Sequence, residues 1–335
     1  MNSTAVRSTV VFVHGIFSSG VIFKDMSDAC TARGVFEACV TFEYDYHRDL
    51  EDNAQALTDL LARIEGPVVL VCHSMGGLVA RLAVLSGDAP TVRRVIMLAT
   101  PNFGAMRTAT AGLLAQLVLQ ATGRVSAVFR HPGILELTRI SQLMKEPIAT
   151  GETFARGVEY VSLPARYFHE GRAILDCGDW ADGRMSTRLF AALGVGFELL
   201  ALFPLWAPQI QRPHDGIVEE RSNAFVPEGA GRRSEKHASI VDPEKWGYTY
   251  AHVSIERCDD LNHVMIHSDP EVIELVVALA AAESLSEWYA DLTVEQRLEI
   301  TVQPTPPGRS RIKRASSSTS RSSSRVRTTA GSRRP

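Results

Sequence analysis

The sequence predicts an α/β fold, a mainly parallel sheet flanked by helices. Two observations predict it. Three short runs, Ser8–Val13 (STVVFV), Val68–Cys72 (VVLVC) and Arg93–Leu98 (RRVIML), are apolar without regular polar alternation, as strands buried on both faces are. Between them lie segments with helical spacing, so strand and helix alternate along the chain, and parallel strands need such crossovers.

The elements follow in order. Val21–Arg33 has weak helical spacing and stops at Gly34. Val35–Tyr44 (VFEACVTFEY) alternates well enough for a second strand. Asp49–Ile64 is an amphipathic helix whose apolar residues Leu57, Leu60, Leu61 and Ile64 recur three and four apart. Acids in its first turn suit the helix dipole, and Gly66-Pro67 ends it. Gly77–Leu85 carries Leu78, Leu82 and Leu85 on one side. Val158–Leu163 reads as a further core strand and Ala251–Cys258 as the last. A final helix starts at Asp269-Pro270, with Val272, Leu275, Val276 and Leu279 as its packed face.

Composition bounds the class. The 335 residues suit one sizeable domain with insertions, or two smaller ones. Hydrophobic content of 45% and charged content of 22% fit a globular chain. The five cysteines, Cys30, Cys39, Cys72, Cys177 and Cys258, form no C-x-x-C pair and no metal-ligand spacing, so no metal site is expected. They fit a reducing compartment, and the N-terminus lacks the pattern of a signal peptide; the expectation is a cytoplasmic location. The net charge of −3 hides an asymmetry: the nine Lys and Arg from Arg309 onward, with no acids, leave −12 on residues 1–308.

The chain is organised around Ser74. It stands where the apolar run Val68–Cys72 meets an amphipathic segment, in C-H-S-M-G. A serine on a sharp strand-to-helix turn projects its hydroxyl above the sheet and needs small neighbours, the physical content of G-x-S-x-G. Gly76 supplies the second glycine; Cys72, also small, replaces the first. The first strand ends in His14-Gly15-Ile16-Phe17, where glycine lets the chain turn tightly and an amide face a substrate. An oxyanion needs two or more fixed N–H donors. The candidates are the amides of Met75 and Ile16, with Phe17 as the alternative to Ile16 and as a candidate substrate-binding residue.

These blocks, VVFVHGI, VLVCHSMGGLVAR and RRVIMLATPNFG, resemble the lipase and serine-esterase branch of the α/β-hydrolases. They are similar to small bacterial lipases and to inositol-deacylase-like esterases. The resemblance implies the chain order nucleophile, acid, histidine. Asp215, in P-H-D-G-I-V, resembles the loop that carries the acid in many lipases, and Ile217-Val218 anchor it; Asp176, Asp179 and Asp182 are the competitors. Among ten histidines, His263 lies between the last strand and the last helix, with His267 as the alternative; His14 and His73 read as structural. The resemblance implies that His263 takes the proton from Ser74, that Asp215 orients the imidazole, and that no cofactor is needed.

The domain organisation follows. Residues 1–104 form the first half of the core, and 105–210 an insertion with one core strand near 158–163. Residues 211–300 complete the core with the acid and the histidine, and 304–335 are a disordered Ser/Arg-rich tail. Leu113–Leu119 and Leu189–Trp206 are unusually apolar, which predicts a helical cap over Ser74; an interfacial lid and a membrane span are the other readings of the second stretch. A cap or lid points to a hydrophobic ester as substrate. The tail reads as a solvated segment, an anionic-membrane attachment or a phosphorylation target at K-R-A-S-S, Lys313–Ser317. Nucleic acid is not expected as a partner, since no binding module accompanies the tail, and oligomeric state is left open. The expected activity is carboxylic-ester hydrolysis. Thioesterase, amidase and acyltransferase chemistry on the same residues, or a non-catalytic binding protein, are the alternatives.

Overall fold

The structure, a computed structural model, describes residues 6–16, 18–87, 91–102, 155, 157–165, 215, 218, 220–223, 249–255, 261, 263, 265–293 and 300–303. Phe17, the stretches 113–119 and 189–206, the competing acids Asp176, Asp179 and Asp182, and the tail from 304 lie outside the described residues.

The elements in chain order are β1 (Thr9–Val13), a 3-10 turn (Gly20–Phe23), α1 (Lys24–Arg33), β2 (Ala38–Phe42), α2 (Leu50–Leu61), β3 (Val68–His73) and α3 (Met75–Leu85). They continue with β4 (Val92–Leu98), β5 (Glu159–Leu163), the short turn α4 (Glu220–Asn223), β6 (Thr249–Ile255), α5 (Pro270–Ala281), α6 (Leu285–Asp291) and β7 (Ile300–Gln303). The seven strands among the described residues form one sheet in the order β2-β1-β3-β4-β5-β6-β7. Every pairing is parallel except β6 with β7, which is antiparallel.

The apolar runs are buried on both faces because each strand sends alternate residues to opposite sides. Val11, Val13, Leu70, Cys72, Val95 and Met97 face α2 and α3. Val10, Phe12, Val69, Val71, Ile96 and Leu98 face α1, α5 and α6. Helices therefore cover both surfaces of the sheet, as the alternation of strand and helix predicts. Cys30, Cys39 and Cys72 are free thiols, and burial pushes the Cys72 thiol up, so it behaves as a small apolar residue.

Several boundaries differ from the sequence expectation. The second strand is confined to Ala38–Phe42, and β6 starts at Thr249 and ends at Ile255, before the expected Cys258. It is also not the last strand, since β7 pairs with it at the edge: Ile300 to Gln303 is too short and too polar at its end to stand out by pattern. The final helix starts where expected. Asp269 caps it, its Oδ1 accepting from the Glu271 and Val272 amides at 2.9 and 3.0 Å, and Pro270 fills the first turn. Its packed face includes Ile273 and Val277 as well as Val272, Val276 and Leu279, because α6 with Leu285 and Trp288 joins the same cluster.

The far end of α5 is held by the two arginines that open β4. Arg93 donates to the carbonyls of Ala280 (2.7 Å), Ala282 (2.8 Å) and Glu283 (3.1 Å). Arg94, fully buried, donates to the Leu279 and Ala282 carbonyls and pairs with Glu159 on β5, Nε to Oε2 at 2.7 Å. Cations suit a helix C-terminus, where carbonyls are left without partners. This clamp fixes the helix that follows His263.

Candidate active site

The site lies where the strand order reverses. β1 has β2 on one side and β3 on the other, so the chains leaving β1 and β3 depart to opposite faces and leave a crevice at their carboxyl ends. The register sets Val13 beside Cys72, and His14-Gly15 therefore emerges next to His73-Ser74.

Ser74 stands at the strand-to-helix turn with φ 52° and ψ −124°, a conformation that L-residues rarely adopt. The amide of Ser74 donates to the Leu98 carbonyl at 2.9 Å, which ties the turn to β4. Close approach on every side explains the small residues around it. A Cβ on Gly76 would fall 2.3 Å from the Val13 carbonyl oxygen and 2.4 Å from that of His14. One on Gly15 would fall 2.9 Å from the Ser74 Cβ. Cys72, in the place of the motif's first glycine, is wholly buried among the side chains facing α2 and α3, so the turn accommodates it without strain at that position.

His263 meets Ser74 from the other edge. Its Nε2 lies 2.9 Å from Ser74 Oγ and its Nδ1 2.8 Å from Asp215 Oδ2. The carboxylate only accepts, so Nδ1 carries the proton and Nε2 is free to accept from the serine hydroxyl. All three side chains are buried, with exposures of 4% for Ser74, 1% for Asp215 and 5% for His263. The main chain repeats the pairing: the His263 amide donates to the Asp215 carbonyl at 2.8 Å. His73 adds a third tie, its Nε2 donating to the His263 carbonyl at 2.7 Å. Burial, first, and the neighbouring His263 hold His73 well below the ordinary histidine range, so it stays neutral. It acts structurally, as its place in the motif suggests.

The sequence-predicted residues Ser74, Asp215 and His263 are thus brought together in hydrogen-bond contact. His267, the alternative histidine, is a neighbour of a different kind. Its ring lies 5.3 Å from that of His73 and 6.4 Å from Phe23, and burial pushes its pKa down to about 4. The Asp215 loop closes as its sequence suggests at one end: Val218 is buried, and its amide donates to Asp215 Oδ1 at 2.7 Å.

Of the candidate oxyanion donors, Met75 is the first residue of α3, where an N–H has no partner within the helix and the dipole favours negative charge. Ile16 follows Gly15 in the loop after β1 and packs, half-buried, against the side chains facing α2 and α3. That loop is braced by residues the sequence does not single out. Tyr44 donates its hydroxyl to the His14 carbonyl at 2.7 Å and stacks on the His14 ring at 4.4 Å. His14 Nδ1 contacts the Gly15 carbonyl at 2.8 Å, and Glu43 Oε1 accepts from the Gly20 amide at 2.8 Å. Burial holds His14 below its ordinary pKa. Asn223, in contact with Asp215, is also invisible in the local pattern. Among the described residues, no group of three or more His, Cys, Asp or Glu is placed to hold a metal ion, and no helix is long and apolar enough to cross a membrane.

Comparison with known proteins agrees with this architecture. The chain resembles Bacillus licheniformis lipase BlEst2 in its mature form, with 17% identity over 82% of this chain and 93% of that one and a TM-score of 0.50. The propeptide form of the same lipase matches with 18% identity over 83% of this chain and 51% of that one, TM-score 0.50. A metagenomic carboxyl esterase gives 16% identity, coverage of 78% and 66%, and a TM-score of 0.43. No curated protein matches the sequence. A family model described as the alpha/beta hydrolase family matches residues 10–274, from β1 into α5. The chain belongs to the alpha/beta hydrolase family.

Proposed function

We propose that this protein is a serine-dependent carboxylic-ester hydrolase acting on esters with hydrophobic acyl groups. The observation that carries the reading is the buried hydrogen-bonded run from Ser74 Oγ through His263 to Asp215 Oδ2 at the carboxyl ends of the strands. An unassisted serine hydroxyl is a weak nucleophile near neutral pH. His263 Nε2 accepts its proton as Oγ attacks the ester carbonyl, and Asp215 stabilises the imidazolium that forms. The amides of Met75 and Ile16 hold the developing oxyanion, each donor contributing roughly 10²–10³ in rate. His263 then returns the proton to the leaving alcohol, and water, activated by the same histidine, releases the acid from Ser74. Phe17, next in sequence, is the proposed substrate contact. The preference for hydrophobic acyl groups rests on the apolar composition of 113–119 and 189–206, and the fold shared with a lipase agrees with it.

The test is hydrolysis of p-nitrophenyl esters from acetate to palmitate by the wild type and by Ser74→Ala. The reading predicts turnover that favours the longer chains and falls by roughly 10⁶ in the variant. Undiminished hydrolysis by folded Ser74→Ala would overturn it.

A further inference from the structure

We propose that Asn223 is a positioning residue for Asp215: it fixes the plane of the carboxylate so that Oδ2 stays aimed at His263. The inference rests on the role proposed above for Asp215. Rotation of an aspartate carboxylate about its last bond is soft, so the donors on its two oxygens decide its plane. Oδ1 accepts from the Val218 amide at 2.7 Å, within the acid's own loop. Oδ2 accepts from His263 Nδ1 at 2.8 Å and from Asn223 Nδ2 at 3.2 Å. His263 changes its charge during the proposed reaction. A donor on Oδ2 that does not titrate holds the carboxylate in place throughout.

Asn223 is itself anchored by two residues, one of which ties it on to α3. Its main-chain carbonyl accepts from Ser162 Oγ on β5 and from Asn102 Nδ2, after β4, at 3.1 Å. Asn102 Oδ1 in turn accepts from Arg81 Nη1 on α3 at 3.3 Å. Asn223, Asn102 and Ser162 are wholly buried, and Arg81 is 1% exposed. The acid is therefore referenced to the helix that begins at the nucleophile, across a continuous polar web in the interior. The carboxylate can only accept, which sets the Asn223 amide with Nδ2 toward Asp215. That leaves Asn223 Oδ1 buried without a hydrogen-bond partner among the described residues, a cost in stability that an apolar side chain of similar size would not carry. Packing alone gives no reason for the amide; the contact with Asp215 does.

The test compares full-length wild type, Asn223→Leu, Asn223→Asp and Ser74→Ala, with p-nitrophenyl butyrate as substrate. It measures kcat and KM from about pH 5 to 9, with melting followed by circular dichroism at each pH. Asn223→Leu should lose roughly 10- to 100-fold in kcat with KM held, the scale of a small misplacement of a catalytic group. Asn223→Asp is isosteric and diagnostic. A protonated carboxyl at 223 can donate to Asp215 as the amide does; an ionised one repels it, and the two carboxylates titrate as a pair. His263 faces that pair directly, and Arg81 lies behind it through Asn102. The activity of Asn223→Asp relative to wild type should therefore be highest at the acid end and fall as pH rises, while the variant remains folded. A profile of wild-type shape, or a loss equal at every pH, would overturn the proposal. Should Asn223→Leu melt below the assay temperature, Asn223→Asp alone decides. Ser74→Ala separates the two levels: if it is inactive while both Asn223 variants behave as wild type, only this inference fails. If Ser74→Ala stays active, the proposed mechanism fails with it.

Discussion

Replacing Gly76 with alanine should damage catalysis and stability together, and the structure gives the scale. The new Cβ would stand 2.3 Å from the Val13 carbonyl oxygen and 2.4 Å from that of His14, whereas ordinary contact begins at 3.4 Å. Something must move by about 1 Å, and interiors packed at crystal density leave no slack for it. Neither oxygen is the end of a flexible side chain. β1 is hydrogen-bonded between β2 and β3, and the His14 carbonyl is also held by the Tyr44 hydroxyl. The displacement therefore falls on the start of α3, which carries Ser74 and the Met75 amide, and opens the distance between that amide and the loop of Ile16. A misplacement of 1 Å at a reacting centre costs on the order of 10²-fold in rate, or about 2.7 kcal/mol in the barrier. Overpacking costs roughly 1–3 kcal/mol of stability, and main-chain contacts place this case at the upper end. Ester hydrolysis and urea unfolding of Gly76→Ala measure the two effects. Gly34→Ala is the companion, with nothing within 4 Å of the added Cβ but φ at +66°; it should lose about 1 kcal/mol and no activity. Gly76→Ala within roughly threefold of wild-type kcat/KM would refute the reasoning that this glycine sets the spacing of the site.

Three further outcomes are expected. Tyr44→Phe removes the hydroxyl that holds the His14 carbonyl, and should lower kcat roughly 10-fold with KM held while costing about 1 kcal/mol in urea unfolding; an unchanged kcat contradicts the bracing role. Glu159→Ala strips the carboxylate from the buried Arg94 guanidinium and from the Leu285 amide. It should cost about 3 kcal/mol in urea unfolding and leave hydrolysis per folded molecule unchanged, and a loss under about 1 kcal/mol contradicts the clamp. Stability should also depend on pH. Burial holds His267 at about 4 and depresses His14 and His73, whereas an unfolded histidine titrates near about 6.5. Below that value the unfolded chain takes up protons that the folded chain refuses, so stability falls from about pH 6.5 down toward 4 and is flat in these groups above about 7. His267 alone contributes about 3 kcal/mol across that window. Urea midpoints that do not change on acidification to about pH 5 contradict it.

Much of the fold was legible because its strands are buried on both faces. Val68–Cys72 and Arg93–Leu98 stand out as apolar runs for that reason alone, and their neighbours Gly76 and Gly77 mark a helix pressed against strand ends and the Thr100 side chain. Ser74 was legible because its turn demands that local pattern. Asp215 and His263 came from the chain order that the family resemblance implies, Asp215 by its D-G-I-V loop and His263 by its place before the final helix, and the geometry brings His263 to Ser74 and Asp215 to His263. Partners distant in sequence left no such trace. Arg93 and Arg94 act on carbonyls about 190 residues away, and Asn102 meets Asn223 across 121 residues, so no window along the chain contains both ends. Tyr44 lies just past β2 in sequence, but its contact with His14 depends on β2 lying beside β1. β7 was missed because four residues at a sheet edge give too short a pattern to read.

The central claim is that Ser74 is a nucleophile activated by His263. Its most direct test is reaction with a fluorophosphonate, followed by mass spectrometry of the labelled peptide, in wild type and in His263→Ala. The account predicts one adduct per chain, on Ser74, and labelling in His263→Ala slowed by several orders of magnitude. An adduct on another residue, or labelling of Ser74 at the same rate without His263, would contradict it.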